Sequence, residues 1–462
     1  MDSTNYDNAG DDVDLFHTMF DCQSSQWGSI DVITSESTSD CWVPSIAIDS
    51  SDNLHVTWSD TTDYNDAGTD SDIFYKMWNS TSSSWGNIKV ISDTYHSGPS
   101  DHPSIAVDST DTVHVVWKDY FLKSVIAYRY LDPTGLSWSG VYTVPTENGP
   151  KYNPSLAIDS SDNLHVVWPE NSDNLGSGDD ADIFYIQWNS SASVWSTSEV
   201  VSTESTSDCW SSTLTTDSLG NVHVVWKDYT NFSEAQSPYW SIAYKRWNSS
   251  NFSWSTTEVV NTGSTRYSDR PRIVSDSENN LHVVWHEYGY ISSEDILYSQ
   301  WNSSSSTWTP SIVTTTETSY SVSPALTIDS TDVIHMAWGD FVSFGADMDI
   351  FYKKCVKDSD GDTLPDKWEE DNGLNPNQDD SEEDPDADGL TNLEEYRYRT
   401  NPQAEDSDAD GFNDKQEIDA GTDPLDSTDF PEITTTVDII LPLMSILVML
   451  RVCFKRKRKL VS

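Results

Sequence analysis

Positive charge is scarce in this chain. Its 462 residues carry 25 Lys and Arg against 77 Asp and Glu, a formal charge of −52. A nucleic-acid partner is therefore excluded, because neutralising phosphates takes clustered cations. Cysteine is scarce as well. Cys22, Cys41, Cys209, Cys355 and Cys453 stand far apart, with no C-x-x-C and no Cys/His cluster. Neither a structural zinc site nor a disulfide framework follows from that pattern. Helical periodicity is absent from the first 355 residues. Aromatics are not scarce: 20 Trp and 21 Tyr separate this chain from disordered acidic ones, which lack them.

One phrase recurs six times. It runs Pro44–Trp58 (PSIAIDSSDNLHVTW), Pro103–Trp117, Pro154–Trp168, Ser212–Trp226, Pro271–Trp285 and Pro324–Trp338. Each copy holds two apolar runs around Asp, Ser, Asn or Gly, which is a hairpin signal. A second phrase follows, as in Asp72–Ile91, Asp182–Val201 and Asp295–Thr314, again two β-rich runs around a polar turn. Four strands, A to D, per unit of about 50 to 60 residues predict an all-β fold, a β-propeller over residues 1–355. Leu-His-Val-Val-Trp shows little polar alternation, as expected of strands covered on both faces.

The repeat phase places Met1 just after a strand B. Asp2–Gly10 aligns with Asp60–Gly68, and Asp14-Leu15-Phe16 with Asp72-Ile73-Phe74. The chain thus starts with strands C and D and ends its repeats with A, B and C at Asp349–Cys355. Two arrangements follow: six blades with the ends sharing one, or seven with upstream sequence expected before Met1. Met1–Asp7 has no basic and no apolar stretch, so no secretory signal is read there.

The A–B turn Asp49-Ser50-Ser51-Asp52-Asn53 with Trp58 resembles the sialidase-like BNR/Asp-box propellers. Asp52 stands six residues before Trp58 where the box has five, and the box glycine appears only as Gly220. The resemblance implies that a catalytic member would hold a carboxylate with three converging arginines, beside a Tyr/Glu pair and an acid. The repeats offer only Arg129, Arg246, Arg266, Arg270 and Arg272, so no catalytic residue is assigned.

Three repeated polar sets remain. His55, His114, His165, His223, His282 and His335 share one position and are expected to hydrogen-bond between blades. Asp60, Asp119, Glu170, Asp228, Glu287 and Asp340 follow the repeat Trp by two residues, with a solvated or turn-capping role expected. The D-to-A crossings, which line a propeller mouth, supply Asp40, Trp42, Asp101, Asp208, Trp210 and Asp269 as candidate ligand-binding residues. Sequons at Asn79, Asn189, Asn231, Asn248, Asn251 and Asn302 are glycosylation candidates.

Residues 358–432 change character, with 27 acids against Lys367, Arg397, Arg399 and Lys415. Asp358, Asp360, Asp362, Asp366 and Glu369 stand at positions 1, 3, 5, 9 and 12 of a loop. Asp384, Asp386, Asp388, Asn392 and Glu395 repeat that spacing, as do Asp406, Asp408, Asp410, Asp414 and Glu417. Calcium takes six to eight oxygens, and such spacing wraps alternate side chains around one ion. Gly389 and Gly411 hold the sharp-turn position. The run resembles the thrombospondin type 3 calcium-binding repeat, which implies that these fifteen residues are ligands in an EF-hand-like segment over 356–432.

Beyond it, 433–454 contains an apolar run of about 18 residues, near the lower limit for a transmembrane helix. The basic cluster 455–462 predicts a cytoplasmic tail and an extracytoplasmic body on a single-pass membrane protein. The expectation is a calcium-bearing stalk carrying a propeller that recognises a glycan, peptide or protein. A sialidase-like surface hydrolase and a structural coat component are the alternatives.

Overall fold

The computed structural model describes residues 12–431, apart from 22–25, 65–66, 93–97, 121–123, 135–136, 148, 174, 176, 231–239, 263, 265, 289–293, 314–319, 342–348, 356–359, 361 and 363. The segments 433–454 and 455–462 lie outside them. No helix among the described residues is long and apolar enough to cross a membrane. The chain divides into two units, 1–356 and 357–462.

The first unit is an all-β propeller of six blades. In the first, strand A (Cys41–Ile48) pairs with B (Leu54–Asp60), and B pairs with C (Asp72–Asn79). Strand D is split into Ser84–Trp85 and Lys89–Val90, both on C. The A–B–C–D order recurs from strand A at Ser100–Val107, Ser155–Ile158, Cys209–Thr216 and Tyr267–Ser275, with a single D strand, Tyr142–Thr143, in the second blade. The sixth blade has three strands, Tyr320–Ile328, Ile334–Phe341 and Asp349–Cys355.

Strand B forms the middle of each sheet, and neighbouring blades cover both of its faces. Val113–Asp119 and Val222–Asp228 are buried at every residue. Trp58, Trp117, Trp168, Trp226 and Trp285 are all 0% exposed. At about 25 cal/mol per Å² and about 200 Å² per indole, each contributes roughly 5 kcal/mol of gross burial. Consecutive blades also share apolar clusters, such as Val167, Ile183 and Val201 with Leu214, Val224 and Trp226.

The N-terminal hairpin does not join the sixth sheet, which corrects the expectation of a shared blade. It forms two small sheets of its own, Phe16–His17 with Asp31–Val32 and Phe20–Asp21 with Gln26–Trp27. It stands between the sixth blade and the first. Elsewhere a strand-C tyrosine meets the strand-D-side tryptophan of the next blade edge to face, as Tyr185 meets Trp254 at 5.2 Å. Tyr352 of the sixth blade meets Trp27 in the same way at 5.5 Å. On the other side, Lys76 Nζ donates to the Ile33 carbonyl at 2.7 Å, as Lys245 donates to Val201 at 2.8 Å. The hairpin is thus the C–D half of a blade in a place of its own.

The six repeat histidines bond within their blades, not between them. Each bridges the A–B turn Asp and the strand-C Tyr. His165 Nε2 lies 3.1 Å from Asp159 and its Nδ1 2.8 Å from the Tyr185 hydroxyl. His55, His114, His223, His282 and His335 repeat the pattern. The same Asp caps its turn, Asp159 accepting from the Ser161 and Asn163 backbones at 2.8 and 3.0 Å. Burial raises the Asp159 carboxyl, but bonds from His165 and Asn163 outweigh it and hold it at about 2.

The acids two residues after each Trp are buried, which corrects the solvated reading. Glu170 and Asp228 are 0% exposed. Trp226 Nε1 donates to Asp228 at 2.9 Å, and Trp168 Nε1 to Glu170 at 2.9 Å. The crossing serines close the set, Ser37 donating to Asp60 at 2.8 Å and Ser321 to Asp340 at 2.7 Å. Turn-capping holds for Asp60 and Asp228, which accept the Thr62 and Thr230 N–H groups.

Candidate functional site

Strand A of five blades begins with a bulge. Register shifts occur between Trp42 and Ser45, Asp101 and Ser104, Trp210 and Thr213, Asp269 and Arg272, and Val322 and Ala325. The residue inside each bulge has a left-handed backbone: Val43, His102, Ser211, Arg270 and Ser323 lie at φ between 49° and 55°. A bulge re-aims the side chain before it. It therefore sets Trp42, Asp101, Trp210 and Asp269 along one end of the blades.

Two of the six candidate ligand residues meet there. Asp208 and Trp210 line a cavity of about 440 Å³ together with Tyr229, Trp240, Tyr267 and Tyr288. Trp240 is its hub, with ring centroids 6.1 Å from Tyr229, 5.5 Å from Tyr267 and 6.3 Å from Tyr288. Tyr267 stacks on Tyr288 at 5.4 Å. Lys227 Nζ sits 3.5 Å over the Trp240 ring and 3.0 Å from the Asp269 carboxylate. His286 stacks on Tyr288 at 5.7 Å. Burial pushes the His286 imidazole down to about 4, with Arg270 and Lys227 adding to the effect against the pull of Asp269. It is therefore neutral at pH 7, and its Nδ1 is buried without a hydrogen-bond partner.

The other candidates are spoken for or stand apart. Asp40 accepts the Val13 N–H at 2.9 Å. Asp101 binds His102 and Ser59, each at 3.1 Å. Asp269 belongs to the Lys227 pair beside the cavity. Trp42 is about half exposed, away from the aromatic group. The residues missed from sequence are Tyr229, Trp240, Tyr267, Tyr288, Lys227 and His286. Trp240 carried a usable signal, because it breaks the repeat just before strand C.

The arginines go to separate partners. Arg129 holds the Ser139 and Ile91 carbonyls, Arg266 pairs with Asp295 at 2.7 Å, and Arg270 reaches Ser323. Sequon residues Asn79, Asn189, Asn248 and Asn302 use their side-chain oxygens to cap the C–D turns. Asn251 accepts from Ser253 in an exposed turn. Asn231 lies outside the described residues.

In the second unit, short helices follow the acidic loops: α1 (Asp366–Asp371), α2 (Asn392–Tyr398) and α3 (Asp414–Ala420). Capping boxes at Thr391/Glu394 and Asn413/Gln416 start α2 and α3. The Gly389 N–H donates to Asp384 at 3.1 Å, and the Gly411 N–H to Asp406 at 2.9 Å. These glycines have φ of 104° and 103°, which a side chain rarely tolerates.

Among the described residues the carboxylates gather in four groups: Asp360, Asp362 and Glu369; Asp384, Asp386 and Asp388; Asp388, Glu395 and Asp414; and Asp406, Asp408 and Asp410. Asp358 lies outside the described residues, as do Gly361 and Thr363. Glu369, Glu395 and Glu417 are buried, and neither oxygen of any of them has a hydrogen-bond partner. Burial, then surrounding aspartates, pushes Glu369 and Glu417 up to about 7, and burial raises Glu395 to about 7 against a lowering pull from the nearby Thr400 hydroxyl. Asn392 turns its amide to the Asp380 carbonyl at 2.8 Å and leaves its oxygen without a partner. Asp366 is buried at the start of α1. An all-oxygen set of this kind suits a hard cation.

No protein family and no curated protein matches the sequence. Among solved structures the chain is similar to an ulvan lyase of polysaccharide lyase family PL25 bound to a GlcA–Rha3S saccharide. The identity is 12%, the TM-score 0.55, and the match covers 73% of this chain and 86% of that one. The same enzyme in a second structure gives 12% and 0.53, covering 71% and 84%. A leech intramolecular trans-sialidase gives 9% and 0.45, covering 68% of each chain. At 12% identity the likeness to the ulvan lyase shows a shared fold alone.

Proposed function

We propose that the propeller recognises a glycan at the aromatic cavity between the fourth and fifth blades. The observation that carries this reading is the grouping of Trp210, Tyr229, Trp240, Tyr267 and Tyr288 with the carboxylate of Asp208. The C–H faces of a sugar ring stack on indole and phenol rings, and its hydroxyls donate to a carboxylate. That a lyase of similar fold binds a saccharide supports the same class of ligand. The acidic segment is a calcium-held stalk using the fifteen residues named above, supported by three buried glutamates without donors. An anchor at 433–454 holds the body outside the cell, as the basic tail favours. Recognition or adhesion at a surface is the resulting role.

The second reading is a surface glycoside hydrolase of the sialidase-like kind. It is favoured by the neutral His286 beside Lys227, Asp269 and Arg270, since a neutral imidazole can accept a proton.

The test is glycan-array binding by the intact protein in calcium, followed by Trp240→Ala and Asp208→Ala. Each variant is expected to weaken binding tenfold or more, about 1.4 kcal/mol. Unchanged binding by both would sink the cavity assignment. Turnover of a bound glycan, lost in His286→Ala, would replace recognition by hydrolysis. Absence of any glycan ligand together with self-association would favour the coat component.

A further inference from the structure

The acidic loops are spaced as three self-contained units, and three of the four carboxylate groups found among the described residues lie within single loops, but the fourth crosses from the second loop to the third. We infer that Asp388, Glu395 and Asp414 form one divalent-cation site straddling the second and third loops. Asp414 then serves the loop before its own. The inference rests on the calcium reading of the segment and deepens it.

Ligand oxygens of the three residues lie within 4.8 Å of one another, and all three side chains are buried. Glu395 is 1% exposed, and both of its carboxylate oxygens are buried without a hydrogen-bond partner. A buried carboxylate facing two others, with neither oxygen hydrogen-bonded, calls for a cation that accepts several oxygens. The cationic side chain nearest in sequence, Lys415, sends its Nζ to Asp419 instead.

Asp414 is aimed by its own loop. The Ser407 N–H and hydroxyl donate to its two oxygens at 2.8 and 2.7 Å. The next residue ties the start of α3 back to the second loop, because the Lys415 N–H donates to Asp388 at 3.0 Å. Asp388 also belongs to the group with Asp384 and Asp386. It therefore bridges two cation positions. Filling the second loop requires α3 to be docked on it, so calcium binding by these two loops is coupled.

The test is a calcium titration of the full chain by calorimetry, comparing Glu395→Gln, Asp414→Asn and the double variant. Each single variant is expected to lose one ion, and the double no more than either single. Loss of two ions by the double, or none by Asp414→Asn, overturns the shared site while leaving the calcium stalk standing. A wild-type chain that binds no calcium at millimolar concentration instead fails the stalk reading itself. A second readout guards against misfolding: the glycine amides of ¹⁵N-glycine-labelled chain. Asp414→Asn is expected to alter the calcium response of Gly389, in the second loop, more than that of Gly411, in the third. The reverse order overturns the proposal.

Discussion

Carboxylates do opposite work in the two units. In the propeller, Asp159 faces donors: two backbone N–H groups, the Asn163 amide and the His165 ring. It sits at about 2 and needs nothing from outside. In the acidic segment Glu395 faces Asp388 and Asp414, and neither of its oxygens receives a hydrogen bond. It sits at about 7. Abundance of acid therefore says little about metal binding. What matters is whether the fold supplies N–H groups to the carboxylates or leaves them facing each other.

The comparison is broken or sharpened most strongly by removing calcium. Chelation with EDTA is expected to abolish the helical circular dichroism of α1 to α3 while leaving the propeller's thermal transition in place. Equal loss in both units would mean that the propeller also depends on the ion. Next in size is Trp226→Ala, which empties the interface between blades. It is expected to cost about 3–5 kcal/mol in denaturant unfolding of the propeller and to leave the calcium stoichiometry untouched.

Smaller is Asp159→Ala. It strands the His165 ring and two turn N–H groups, and about 1–3 kcal/mol is expected. The pH response has a definite sign. The Asp159 carboxyl lies below its unfolded value of 3.8, so its contribution is full above pH 3.8 and is lost as pH falls towards 2. Wild type should therefore lose more stability than Asp159→Ala over that window in acid denaturation.

Smallest is Asp182→Asn. Burial raises the Asp182 carboxyl to about 6, so its contribution is full below pH 3.8 and lost as pH rises through 6. The variant should flatten the decline of propeller stability between pH 4 and 7, measured by thermal melts. A decline as steep as wild type's would remove Asp182 as its source.

Much of the fold was legible because the repeat is written in residues whose roles are local. Asp49 and His55 recur at fixed spacing, since a turn, its cap and the next strand lie within seven residues. The acids after each Trp were misread for a non-local reason. Alternation names an outward face only when one face of a strand meets water, and strand B has none. Trp240 and Tyr288 lie 48 residues apart in sequence and meet only because blades four and five pack side by side.

The sequence by itself determined that the chain is a repeated all-β propeller followed by acid-spaced loops, because periodicity and ligand spacing are properties of neighbouring residues. Only the tertiary structure decided which aromatics share a cavity, where the N-terminal hairpin stands, and which loop Asp414 faces. Those depend on contacts between distant segments, whose geometry is set by how blades and loops pack on one another.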